Sequence, residues 1–106
     1  MDLRHVRFAI AVSEELQFTA AARRCGVSQP TLTVAIQKLE GELGRPLFER
    51  RPEVRVTEFG QRVLAQMYVI SDAADAVAAL AAEVAELVVG SEELKAPAQG
   101  CSNPVG

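Results

Sequence analysis

Tryptophan is absent from this chain, tyrosine and histidine occur once each, and aromatics make up only 5% of the residues. The single histidine, His5, excludes a multi-histidine metal site and a histidine pair. The two cysteines, Cys25 and Cys101, stand 76 positions apart. That excludes a disulfide framework and clustered zinc ligands. No uninterrupted run of 18 apolar residues occurs, so a membrane span is not expected. The N-terminal MDLRHVRF lacks the apolar segment of a secretory signal. A reduced, cytoplasmic protein is the expectation. The sequence offers no nucleophile–histidine pairing around its one histidine, no phosphate-cradling glycine loop and no metal-ligand cluster. The chain is therefore expected not to be an enzyme, and to use no cofactor and no metal.

Its 106 residues, 49% hydrophobic and 24% charged, suffice for one compact domain and an appendage. The net charge of −3 hides an asymmetry. Residues 1–62 hold ten Arg and Lys against eight Asp and Glu, a balance of +2, whereas residues 63–106 hold one Lys against six acids, a balance of −5. Cationic chemistry is confined to the first part, and the two parts are expected to have different jobs.

Asp2 can cap a first helix over residues 3–16, with Leu3, Val6, Ala9 or Ile10, and Leu16 along its apolar face. Thr19 is expected to cap a short second helix, Ala20–Arg24, that Gly26 ends, with Val27 plugging the core from the turn. Ser28-Gln29-Pro30 is the clearest helix start: a hydroxyl for an orphan amide, then a proline whose φ is already set. From there Leu32, Ile36, Leu39 and Leu43 form an inward stripe, and Gly44 terminates the helix. After Pro46, Leu47-Phe48 anchor an extended stretch, Arg51-Pro52-Glu53 reads as a tight turn, and Val54-Arg55-Val56-Thr57 alternates with period two. Residues 48–57 are thus expected to form a β-hairpin that must pack on the helices.

A long helix is expected from Glu58 to about Val89. Val63, Met67, Ile70, Ala74, Val77, Ala81, Val84 and Val88 repeat along it as a heptad seam, with Asp72, Asp75, Glu83 and Glu86 off it. At ~1.5 Å per residue such a helix is about 45 Å long, more than the small domain before it needs. The seam is read as a homodimer interface, the bland alternative being intramolecular core. Residues 90–106 lack periodicity and are expected to be a disordered tail. The expected organisation is 1–57 as one domain, 58–89 as a linker or dimerisation helix, and 90–106 as tail.

Ala20–Lys38 has the layout of a helix-turn-helix. Ala22 permits a close helix crossing, Gly26 makes the turn, and Leu32 locks the second helix to the core. Off the inward stripe lie Gln29, Thr31, Thr33, Val34, Gln37 and Lys38. Gln can pair with an adenine edge, Thr can hydrogen-bond a base, and Lys can meet a phosphate. Val34 either touches a thymine methyl or faces solvent. Arg50, Arg51 and Arg55 make the hairpin cationic, as suits a wing against flanking DNA, although Arg50 has Glu49 and Glu53 as alternative partners. The other readings are bland: Arg4 and Arg7 as surface charges, Cys25 as a small buried thiol, His5 as a surface residue, and Tyr68 as a packing residue of the dimer helix.

The strings DLRHVRFAIAVSEE, FTAAARRCGVSQPTLTVAIQKLEGELGRPLFER and RVTEFG resemble the winged helix-turn-helix of LysR-type transcriptional regulators, and the long helix is similar to that family's linker helix. The resemblance covers about residues 1–90. It implies a mainly α fold, three helices plus a small β-hairpin wing, followed by a helix that pairs antiparallel in a dimer. It implies sequence-specific binding of an inverted-repeat operator in double-stranded DNA. Ser28, Gln29, Pro30, Thr31, Thr33 and Val34 fall where the family's recognition helix meets DNA, and Arg50 and Arg51 fall at the wing; from its own chemistry Lys38 is a further DNA-binding candidate, as a phosphate contact or else a solvated charge. RNA polymerase and full-length homologues are further partners the resemblance admits. The chain departs from the family at Thr33-Val34, where Ser-Arg is frequent, at a wing one residue short with an acidic Glu53, and at Ala9, where an aromatic is usual. Family members approach 300 residues and carry a C-terminal inducer-binding domain, so this chain is expected not to sense an inducer. An alternative function is an interaction protein that heterodimerises with full-length relatives and modulates their DNA binding. A molybdate-responsive regulator head fits less well, because its usual motif lacks Ser-Gln-Pro.

Overall fold

The computed structural model describes residues 1–87. The element order is α1 (Leu3–Glu15), α2 (Phe18–Cys25), α3 (Gln29–Leu43), β1 (Phe48–Glu49), β2 (Arg55–Val56) and α4 (Glu58–Leu87). It is a mainly α winged-helix architecture. Residues to Ala73 form one compact unit, and the chain from Ala74 belongs to a second, so the structural division falls within α4.

Local chemistry places most helix ends. The Asp2 carboxylate accepts the His5 N–H at 3.0 Å, which opens α1 and holds that carboxyl below its usual pKa. Leu16 closes α1 in the left-handed region, φ 54°, its N–H donating to the Val12 carbonyl at 2.8 Å. An L side chain pays for that conformation, so Leu16 is a strained stop. Thr19 does not cap α2. The helix starts at Phe18, with Gln17 at its N-cap and no side-chain cap bond. Phe18 packs against the core edge-on to Phe48, 6.3 Å between ring centroids, and this contact draws the helix start back. Gly26, φ 72°, ends α2 as expected. Ser28 accepts the Thr31 N–H at 3.2 Å to open α3, and Gly44, φ 82°, closes it.

One core serves the first unit. Val6 and Phe8–Val12 of α1, Ala21 and Ala22 of α2, Leu32, Ala35, Ile36 and Leu39 of α3, Leu47, Phe48, and Leu64 and Met67 of α4 are all buried. Ala9 is fully buried beside buried Phe8.

The hairpin is smaller than its alternation suggests. Only Phe48↔Val56 and Glu49↔Arg55 pair. Thr57 leaves the strand to cap α4: its Oγ1 accepts the Gly60 N–H at 2.9 Å and donates towards the carbonyls of Pro46, 2.9 Å, and Leu47, 3.2 Å. A Cβ at Gly60 would stand 2.2 Å from the Leu47 oxygen, so only glycine lets the helix start so close to the hairpin base.

By length and composition alone α4 could cross a membrane. Its first half is instead committed to the core through Leu64, Met67 and buried Ser71. The expected seam therefore divides. Val63 packs against the core and Met67 is 1% exposed, so Met67 is not on the surface. Ile70 is 40% and Val77 67% exposed, Ala74 is half-buried, and Ala81 and Val84 are exposed. Val88 and the expected tail lie outside the described residues.

Candidate nucleic-acid interface

The inward side of α3 is fixed by Leu32, Ile36 and Leu39, none of which has any exposed surface. The outward side of its first turns is polar and open: Ser28, Gln29, Pro30, Thr31, Val34, Gln37 and Lys38 are exposed, and Thr33 is half-buried. These side chains orient one another. Ser28 Oγ donates to Thr31 Oγ1 at 2.8 Å, and Gln29 Nε2 donates to Thr33 Oγ1 at 3.0 Å. The amide of Gln29 is thereby held in one orientation on a rigid helix, and a fixed amide can recognise a matching donor–acceptor pair.

A residue without an assigned role in the sequence ties this helix to the wing. Glu40 Oε2 accepts the N–H groups of Leu47 at 2.7 Å and Phe48 at 3.2 Å. Its Oε1 lies 3.8 Å from Arg50 Nη2. Arg50 also lies over the Phe18 ring, 4.4 Å from the centroid. Its expected alternative partners, Glu49 and Glu53, are thus replaced by Glu40, and Arg50 is braced against the domain rather than extended from the wing. The signal for this existed in Leu39-Glu40 and Leu47-Phe48, but the seven- and eight-residue separations cross a loop. At the wing tip Arg55 pairs with Glu53 at 3.6 Å, both exposed, an arrangement of little energetic weight. Arg51 and Lys38 are exposed and have no ion-pair partner among the described residues.

Other expectations change. Tyr68 does not serve as a packing residue alone: its hydroxyl donates to the Glu14 carboxylate. That bond, then Arg24, holds Glu14 below its ordinary pKa, while Glu14 pushes the Tyr68 phenol up. Arg24 is engaged by Glu14 at 2.6 Å and Glu15 at 3.3 Å. His5 is half-buried at the surface: its Nδ1 is buried without a hydrogen-bond partner and its ring lies 6.3 Å from that of Phe8. Cys25 is half-buried, and desolvation pushes its thiol up, away from the reactive thiolate. Among the described residues no group of three or more His, Cys, Asp or Glu could hold a metal ion.

The family model for bacterial regulatory helix-turn-helix proteins of the lysR family matches residues 3–61. The transcriptional regulator BudR of Klebsiella aerogenes is 47% identical over 62 residues, 58% of this chain and 43% of BudR. The regulator EstR of Acinetobacter baylyi is 40% identical over 94 residues, 88% of this chain and 31% of EstR. The chain spans less than half the length of these curated relatives. Among solved structures, the BenM DNA-binding domain in complex with catB site 1 DNA superposes with a TM-score of 0.76 at 36% identity, covering 80% of this chain and 97% of that one.

Proposed function

Because the chain belongs to the lysR family of bacterial regulatory helix-turn-helix proteins, we propose that it is a sequence-specific DNA-binding transcriptional regulator. It acts as a dimer on an inverted-repeat operator in the cytoplasm, by binding and not by catalysis. The observation that carries this reading is the first half of α3: an exposed polar face, internally oriented by the Ser28–Thr31 and Gln29–Thr33 bonds, on a helix whose other side is locked in the core. The BenM domain, DNA-bound and of the same fold, supports it.

In this reading Gln29, Thr31, Thr33 and Val34 meet base edges, and Ser28 and Pro30 bring the first turn against the DNA backbone. Lys38 and Arg51 meet phosphates. Arg50 acts chiefly by bracing the wing between Phe18 and Glu40. The exposed apolar residues of α4, Ile70, Val77 and Val84, with Ala74 and Ala81, pair with a second copy, each small domain then reading one half-site.

The test is a titration of the chain into an inverted-repeat duplex and a scrambled one across a salt series. Tighter binding to the repeat, with affinity falling steeply as salt rises, is expected. Equal affinity for both duplexes overturns the sequence-reading role.

A further inference from the structure

On α3 one residue breaks the polar character of the outward face. Val34 is 61% exposed, the one large hydrophobic side chain of that helix left open. It lies roughly 200° around the helix from Leu32, at ~100° per residue, and so opposite the buried stripe. Pro30 and Thr31 on the preceding turn, and Gln37 and Lys38 on the following one, are its neighbours by helical spacing, and all four are exposed. Two nearby hydroxyl oxygens already have partners: Thr31 Oγ1 accepts from Ser28, and Thr33 Oγ1 accepts from Gln29. The one exposed side chain at the centre of the face that carries no hydrogen-bonding group is therefore Val34, which offers a pair of methyls.

We propose that Val34 selects a pyrimidine carrying a C5-methyl group in the major groove, either thymine or 5-methylcytosine. The inference rests on the DNA-reading role proposed for α3. Its chemistry is simple. Valine offers no hydrogen bond, so it cannot distinguish bases by their donors and acceptors. It gains only by covering apolar surface, and the C5-methyl is the apolar group that the major groove displays. Burying one methyl is worth about a fourfold change in affinity per half-site. A site of this kind reads cytosine methylation as well as sequence, because C5-methylation gives cytosine the same group at the same edge.

The experiment begins with duplexes selected from a random pool by the full chain. Each thymine in the selected half-site is replaced in turn by uracil, by cytosine and by 5-methylcytosine, the last two paired with guanine, and each duplex is titrated with native protein and with Val34→Ala. One position per half-site is expected at which native protein loses about fourfold with uracil, and Val34→Ala does not distinguish the two bases. At that position cytosine is expected to be weak and 5-methylcytosine to recover the loss. Binding insensitive to uracil at every thymine, or an equal loss in native and Val34→Ala proteins, overturns the proposal. Failure to enrich any duplex overturns the underlying DNA-reading role instead, which separates the two outcomes. Val34 is exposed, and an unchanged thermal midpoint for Val34→Ala checks that the variant is folded.

Discussion

Helix α3 and the part of α4 beyond Ala73 are written in the same amphipathic code, and they end differently. In α3 the stripe of Leu32, Ile36 and Leu39 is wholly buried within the chain. In α4 the seam enters the core at Val63 and Met67, and then Ile70, Val77 and Val84 remain exposed. Periodicity reports that a helix has an apolar side; it does not report whether that side is covered by the same chain. The two helices therefore respond to substitution in different observables. α3 governs whether the unit folds, and in the proposed dimer the open part of α4 governs how many copies associate.

The largest effect is expected where a backbone approach is closest. Gly60→Ala drives a Cβ against the Leu47 carbonyl, which neither partner can vacate, and should cost about 3 kcal/mol or more; chemical denaturation measures it. Leu32→Ala empties a fully buried site on α3 and should cost about 2–5 kcal/mol. The matching change Val77→Ala should alter the unfolding free energy of the monomer by less than about 0.5 kcal/mol. Similar losses from both would erase the distinction between the helices. Charge on the open part of the seam, Ile70→Glu with Val77→Glu, should shift sedimentation from dimer to monomer and weaken operator affinity; an unchanged dimer would move the interface elsewhere.

Glu40→Ala comes next, at about 1–3 kcal/mol, because it strands the Leu47 and Phe48 amides. Hydrogen exchange at those two amides should rise well before exchange in α3. A smaller effect than that of Glu40 concerns Tyr68 and Glu14, and Tyr68→Phe should cost within about 1 kcal/mol. Glu14 has a depressed folded pKa, so its contribution is complete above the unfolded value and lost as pH falls through the folded one. Tyr68 has a raised folded pKa, so its contribution is present below the unfolded value and lost as pH rises through the folded one. Native and Tyr68→Phe stability curves should therefore converge at both acid and alkaline extremes and separate between them.

The legible parts of the molecule were those determined by neighbours in the chain. Asp2, Ser28, Gly26 and Gly44 act within one turn of themselves, and their roles could be read directly. The less legible parts depend on contacts across the fold. Phe18 begins α2 early because Phe48 packs on it. Thr57 continues an alternating pattern, yet its hydroxyl is worth more as a cap with three partners than as a strand residue. Arg50 reads as a free cation until Phe18 and Glu40 are placed around it. For the candidate site, spacing identified which side chains of α3 face outward, but not the bonds that pair Ser28 with Thr31 and Gln29 with Thr33.

The junction at Thr57 and Gly60 also bears on how such a chain can change over generations. The two ends of the hairpin are clamped at their base, by Glu40 on one side and by Thr57 and Gly60 on the other. The tip, residues 50–54, bears little of that clamping beyond Arg50. Insertions or deletions at the tip can therefore alter what the wing touches without shifting the start of α4. The hairpin is in this sense an exchangeable cartridge: its contents can drift while the socket that receives it stays the same.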